Sequence, residues 1–103
     1  MHRIIAEKMS EIIEICRRHR VKTLELFGSA AGENFDPERS DLDFIVAFEP
    51  MPPADHADAY LDLALDLEAL FARPVDLVET APIKNPYFLK AIEESRVPVY
   101  AAP

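Results

Sequence analysis

Apolar side chains in residues 2–19 fall at Ile5, Met9, Ile12, Ile13 and Cys16 with charged residues between them, a spacing that predicts an amphipathic helix. The period then changes. "VKTLELF", residues 21–27, alternates like a half-buried strand, and Gly28-Ser29 interrupts it. Gly32, Asn34, Asp36, Pro37 and Ser40 predict a short turn or helical stub that gives way to a loop. "DLDFIVAFE", residues 41–49, reads as a second strand, and "PMPPA" as a stiff connection. Across 55–71, Ala57, Tyr60, Leu61, Ala64, Leu65, Leu67, Leu70 and Phe71 fit a packed helix. "PVDLVE", 74–79, predicts a third strand, and Asn85-Pro86 a cap and first turn for a helix over 86–95. "VPVYA" predicts a short closing strand.

The expected order is therefore α-β-β-α-β-α with one further short strand. The link between the first two strands is too short for an ordinary crossover helix, so they should run antiparallel. This is an α+β (α/β) pattern: a small mixed sheet covered on one face or both by helices.

Composition narrows the classes. A chain of 103 residues suits one domain, 1–103, and with half its residues apolar it can bury a core. No apolar run approaches the ~18 residues of a membrane span, and the charged N-terminal segment does not read as a signal peptide. Cys16, the single cysteine, is expected in the core, which suits a reducing cytoplasm. With 19 acidic residues against 11 basic, the net charge is −8. That balance argues against direct nucleic-acid binding and suits a metal site, an enzyme, or a protein that docks on a basic partner. Asp55, Asp58, Asp62 and Asp66 form an acidic ladder on the long helix, read as a solvated face or as a docking strip for such a partner. His2, His19 and His56 share no metal-ligand spacing and are expected at the surface.

The chemistry lies in the carboxylates. Asp41 and Asp43, two apart on a strand, project from one face while Leu42 turns into the core. Two such charges repel unless a cation sits between them, and Mg²⁺ suits a carboxylate pair. Asp76 stands between Val75 and Leu77, a polar residue in an apolar strand; if that strand pairs with the second, Asp76 joins the pair. Gly28-Ser29 closes the first strand with a turn able to aim backbone N–H groups at an anion. Taken singly, these are solvated loop acids, an edge acid and an ordinary turn. Taken together, they describe a phosphate-transfer site.

"GSAAGENFDPERSDLDFIVAF" resembles the signature of the polymerase-β-type nucleotidyltransferase superfamily. Nearly the whole chain, including "VDLVE" and "NPYFLKAIEESRVPVYAA", is similar to minimal nucleotidyltransferase (MNT) proteins, usually encoded beside a HEPN-domain toxin. The resemblance implies a polymerase-β-like nucleotidyltransferase core in which Gly28 and Ser29 hold the nucleotide's phosphates. It implies that Asp41 and Asp43 hold Mg²⁺ and that Asp76, the third carboxylate, contributes to the metal site and activates the attacking hydroxyl. The implied reaction moves AMP from ATP, the substrate, to a hydroxyl, in the antitoxin members a tyrosine of the HEPN ribonuclease. The chain departs from the family at Gly32, where many members carry arginine, and Glu33 follows it. Arg39 and Lys84 are then candidate cations for the triphosphate, against a plain reading as solvated charges. Ser40 is a candidate nucleotide contact, or ties down the loop. The implied partners are a HEPN-domain toxin and ATP, with self-association an added expectation for so small a domain. Two other readings stand beside this one: an antitoxin that works by binding alone, and a small-molecule adenylyltransferase.

Overall fold

A computed structural model describes residues 3–28, 41–79 and 96–103. Its elements are α1 (Arg3–Ala6), α2 (Met9–Arg18), β1 (Val21–Phe27), β2 (Leu42–Phe48), α3 (Pro53–Phe71), β3 (Val75–Glu79) and β4 (Val97–Ala101). The expected stub in 30–40 and the helix over 86–95 lie outside the described residues.

The N-terminal helix is split in two. Glu7 and Lys8 form a turn, where the Lys8 N–H reaches back only three residues to the Ile5 carbonyl at 3.1 Å. The break lets Ile5 share a core with Ile12, Ile15 and Cys16. Met9 and Ile13, expected inside, are only partly buried, and Ile15 takes their place. At the other long helix, Pro53 occupies the first turn after an extended Pro52, so α3 starts two residues earlier than its apolar pattern suggests. Proline suits that position because its φ is already helical and its missing N–H would have had no partner.

The four strands lie in the order β3-β2-β1-β4. β1 runs antiparallel to β2 and to β4, whereas β2 and β3 are parallel. A parallel pair needs a crossover, and α3 supplies it. Mixed strand directions and an antiparallel first pair both match the sequence reading.

One face of the sheet carries the core. Leu24 and Leu26 of β1, Leu42, Phe44 and Val46 of β2, and Leu77 of β3 pack with Ile12 and Cys16 of α2 and Leu63, Leu67 and Phe71 of α3. Both helices therefore cover the same face. The Phe44 and Phe71 rings meet at 6.4 Å. Tyr60 pins α3 to the sheet by donating its hydroxyl to the Leu77 carbonyl.

Two expectations about side chains fail. Leu61 and Leu65 are 59% and 63% exposed, and Leu63, which the apolar pattern passed over, is fully buried. Apolar residues flank the aspartates of α3 as well as facing the sheet, so counting apolar positions does not reveal which of them are buried. His19, expected at the surface, is partly buried: its ring lies 2.6 Å from an Asp66 carboxylate oxygen, with its side chain 12% exposed. Among the described residues, no helix is long and apolar enough to cross a membrane.

Candidate active site

Because Leu42, Phe44 and Val46 enter the core, Asp43 must project from the opposite face of β2. The register then decides its neighbours. Asp43 lies opposite Phe27 of β1 on one side and opposite Asp76 of β3 on the other. Neighbouring strands sit only about 4.8 Å apart, so two carboxylates directly abreast cannot avoid each other. The adjacency that sequence could state only conditionally is present.

Electrostatics record the crowding. The Asp43 carboxyl is pushed up from 3.8 to about 6, first by its burial, then by a hydrogen bond with Asp76, then by the negative charges of Asp76 and Asp41. Asp43 is half-buried, whereas Asp41 and Asp76 are exposed. Asp41 sits just before β2 and acts on Asp43 through its charge.

Gly28 follows β1 directly and so arrives at Asp43's side. Its φ is +73°, and a Cβ built there would come within 2.5 Å of an Asp43 carboxylate oxygen. Glycine is required twice over, by the left-handed backbone and by the space the carboxylate occupies. Sequence reasoning assigned Gly28 to the approach of a phosphate; the Asp43 carboxylate is a nearer reason for it. Ser29, Arg39, Ser40 and Lys84 lie outside the described residues.

Sequence reasoning missed a cation. Glu25, two residues before Phe27 and thus on the carboxylate face, pairs with the Arg96 guanidinium at 3.4 Å. No local pattern could have signalled this, because it depends on β4 returning beside β1.

Among the described residues, no three His, Cys, Asp or Glu side chains are gathered as a ready metal cluster. The arrangement is a tight pair, Asp43 with Asp76, and Asp41 beside it. Its donor chemistry nevertheless fits a hard divalent cation: the candidate donor atoms are all carboxylate oxygens, and beyond its burial Asp43 faces the negative charges of Asp76 and Asp41, which such an ion would offset.

The model of the nucleotidyltransferase domain family matches residues 9–99. A Methanocaldococcus jannaschii protein named as a candidate protein adenylyltransferase is 39% identical over 98 residues, which span 86% of this chain and 95% of that protein. A solved structure described as a candidate minimal nucleotidyltransferase superposes with a TM-score of 0.67 at 29% identity, covering 95% of this chain and 96% of the other. A chain in the complex of tri-AMPylated Shewanella oneidensis HEPN toxin with MNT antitoxin shares the fold, with a TM-score of 0.63 at 19% identity. That match covers 95% of this chain and 73% of the other.

Proposed function

The chain belongs to the nucleotidyltransferase domain family, and on that premise we propose that it transfers AMP from ATP to a hydroxyl, a tyrosine of a HEPN-type ribonuclease toxin, as the antitoxin of a pair. The observation that carries the reading is the placement of Asp43 abreast of Asp76 with Gly28 against the Asp43 carboxylate. A relative named as a candidate protein adenylyltransferase supports the reaction class, and a fold relative found in complex with an AMPylated HEPN toxin supports the acceptor class.

Asp41 and Asp43 would hold Mg²⁺, with Asp76 able to contribute. When bound, the ion supplies charge neutralisation for the phosphates as pyrophosphate leaves. Gly28 lets the chain turn away from β1 without displacing Asp43, so the carboxylate keeps its place. Ionised Asp43 and Asp76 repel, and that stress favours a bound cation over an empty site. Asp76, the more exposed of the two, accepts or orients the proton of the attacking hydroxyl; a positioned base contributes about 10²–10⁴-fold. The oxygen attacks the α-phosphorus, the bond to the bridging pyrophosphate oxygen breaks, and AMP stays on the acceptor. Gly28 and Ser29 are assigned to the phosphates, with Arg39 and Ser40 as further nucleotide contacts. The chain is expected to work in the cytoplasm.

Intact-mass spectrometry of the HEPN-domain partner after incubation with the chain, ATP and Mg²⁺ tests this. An AMP-sized gain that Asp43→Asn abolishes is the expected result. A partner that is silenced in a stable complex with no mass gain would replace transfer by binding, the reading that the loss of arginine at Gly32 favours.

A further inference from the structure

The helical layer has a surface the proposed reaction does not use. α3 turns Leu61 and Leu65 to solvent, 59% and 63% exposed, and the exposed Ala54, Ala57 and Ala69 extend the strip along the helix. Two large apolar side chains one turn apart, on the face that normally carries charge, mark a contact surface. Beside the strip runs a groove of about 560 Å³ between α2 and α3, lined by Glu11, Glu14, Ile15, Arg18, Ala69 and Leu70. Its apolar floor of Ile15, Ala69 and Leu70 runs up to the ridge bearing Leu65.

The rim is mostly acidic, and its lining cation, Arg18, pairs with Asp66. Asp66 is already matched, by His19 at 2.6 Å and Arg18 at 3.5 Å, and Asp55 by Arg20 at 3.9 Å. Half of the acidic ladder is thus bound within the protein. Asp58 and Asp62 on α3, and Glu11 and Glu14 on α2, make no ion pair among the described residues. Unpaired acids flanking an apolar strip on a chain of net charge −8 select the occupant by charge. A second copy would bring the same acids against these and be repelled. A groove between two helices accepts the ridge of a third, and an amphipathic helix anchors in it at every third or fourth residue.

We propose that the α2/α3 groove and the Leu61–Leu65 strip dock a basic amphipathic helix of the protein partner that receives AMP. This rests on the transferase reading for the partner's identity, and adds where that partner is held. The docking surface lies on the opposite side of the sheet from Asp43, so it leaves the carboxylate face free for ATP and the acceptor hydroxyl.

The test measures binding and AMP transfer in parallel, using the HEPN-domain protein of the same genome as the probe. Leu61→Asp with Leu65→Asp should weaken the complex tenfold or more, and Asp58→Lys with Asp62→Lys should weaken it and flatten its dependence on salt. Asp43→Asn should bind like the wild type and transfer nothing. All the docking substitutions are at exposed positions, and unchanged melting temperatures will show that the variants fold. Transfer by a wild type whose binding is indifferent to these changes would overturn the docking surface and leave the reaction standing. Binding that is sensitive to them without any transfer would uphold the surface and refute the reaction. Neither binding nor transfer by the wild type would refute both. A homodimer that Leu65→Asp dissolves would show the occupant to be a second copy and overturn the proposal.

Discussion

Gly28 and Asp43 are mutually dependent, and this fixes what single substitutions should do. Gly28→Ala places a methyl 2.5 Å from an Asp43 oxygen on a backbone with φ +73°, so one of the two must move. A displacement of about 1 Å at a reacting centre costs on the order of 10²-fold in rate; AMP transfer by Gly28→Ala should fall by that order while the circular dichroism spectrum is kept. Asp43 also sets a pH dependence. Its carboxyl lies at about 6 in the folded chain against 3.8 in the unfolded one, so the folded state holds its proton more tightly. Stability from that proton is fully present below about 3.8 and is lost as pH rises through about 6. A cation competes with the same proton, so transfer at low Mg²⁺ should rise with pH through about 6, and the midpoint should fall as Mg²⁺ is raised. Rate–pH profiles at two Mg²⁺ concentrations check this. A contrasting residue is Cys16, fully buried and with its thiol pushed up to about 12 by burial. It should resist thiol reagents at pH 8 until the chain is unfolded.

At the scale of elements, α3 separates what a pattern can and cannot tell. The sequence marks it as a helix, yet Leu63 is buried and Leu65, two residues on, is 63% exposed. Leu63→Ala should cost about 2–5 kcal/mol through its cavity, and Leu65→Ala less than about 0.5 kcal/mol; denaturant melts of the two variants will separate them. The helix ends at Ala72 with φ 53°, a left-handed conformation that costs an L-residue about 1–2 kcal/mol. Ala72→Gly should therefore raise stability by about 1 kcal/mol, read as a higher denaturant midpoint. The strands were easier to read, since alternation in 21–27 and the apolar run after Asp43 match β1 and β2 closely. β4 was foreseen as a strand, but not its place beside β1 nor the Arg96–Glu25 pair that this creates. Pairing is a long-range choice, and local periodicity carries no record of it.

For the molecule as a whole, the parts of the site legible in sequence are those set by short-range geometry. Alternation alone places Asp43 away from Leu42, and a strand break alone implies the turn at Gly28. The meeting of Asp43 with Asp76 needed the parallel β2–β3 register, which α3 makes possible by carrying the chain across the core. Family resemblance anticipated it; periodicity did not. The resulting division of labour is simple. Helices α2 and α3 close the core on one face, and the other face holds Asp43 abreast of Asp76 at a cost to stability. A site that is electrostatically stressed when empty is one that a cation can stabilise on arrival.

On the proposed function, Asp43 and Asp76 stand together because they hold a cation and its nucleotide. A thermal melting series at pH 8 tests it most directly, comparing the wild type with Asp43→Asn in buffer alone, with Mg²⁺, and with Mg²⁺ and a non-hydrolysable ATP analogue. Asp43→Asn should melt higher than the wild type in buffer, because a repelling charge is gone, and gain nothing from the additions, while the wild type should gain with Mg²⁺ and the analogue together. A wild type indifferent to both, or an Asp43→Asn variant that gains as much, would contradict it.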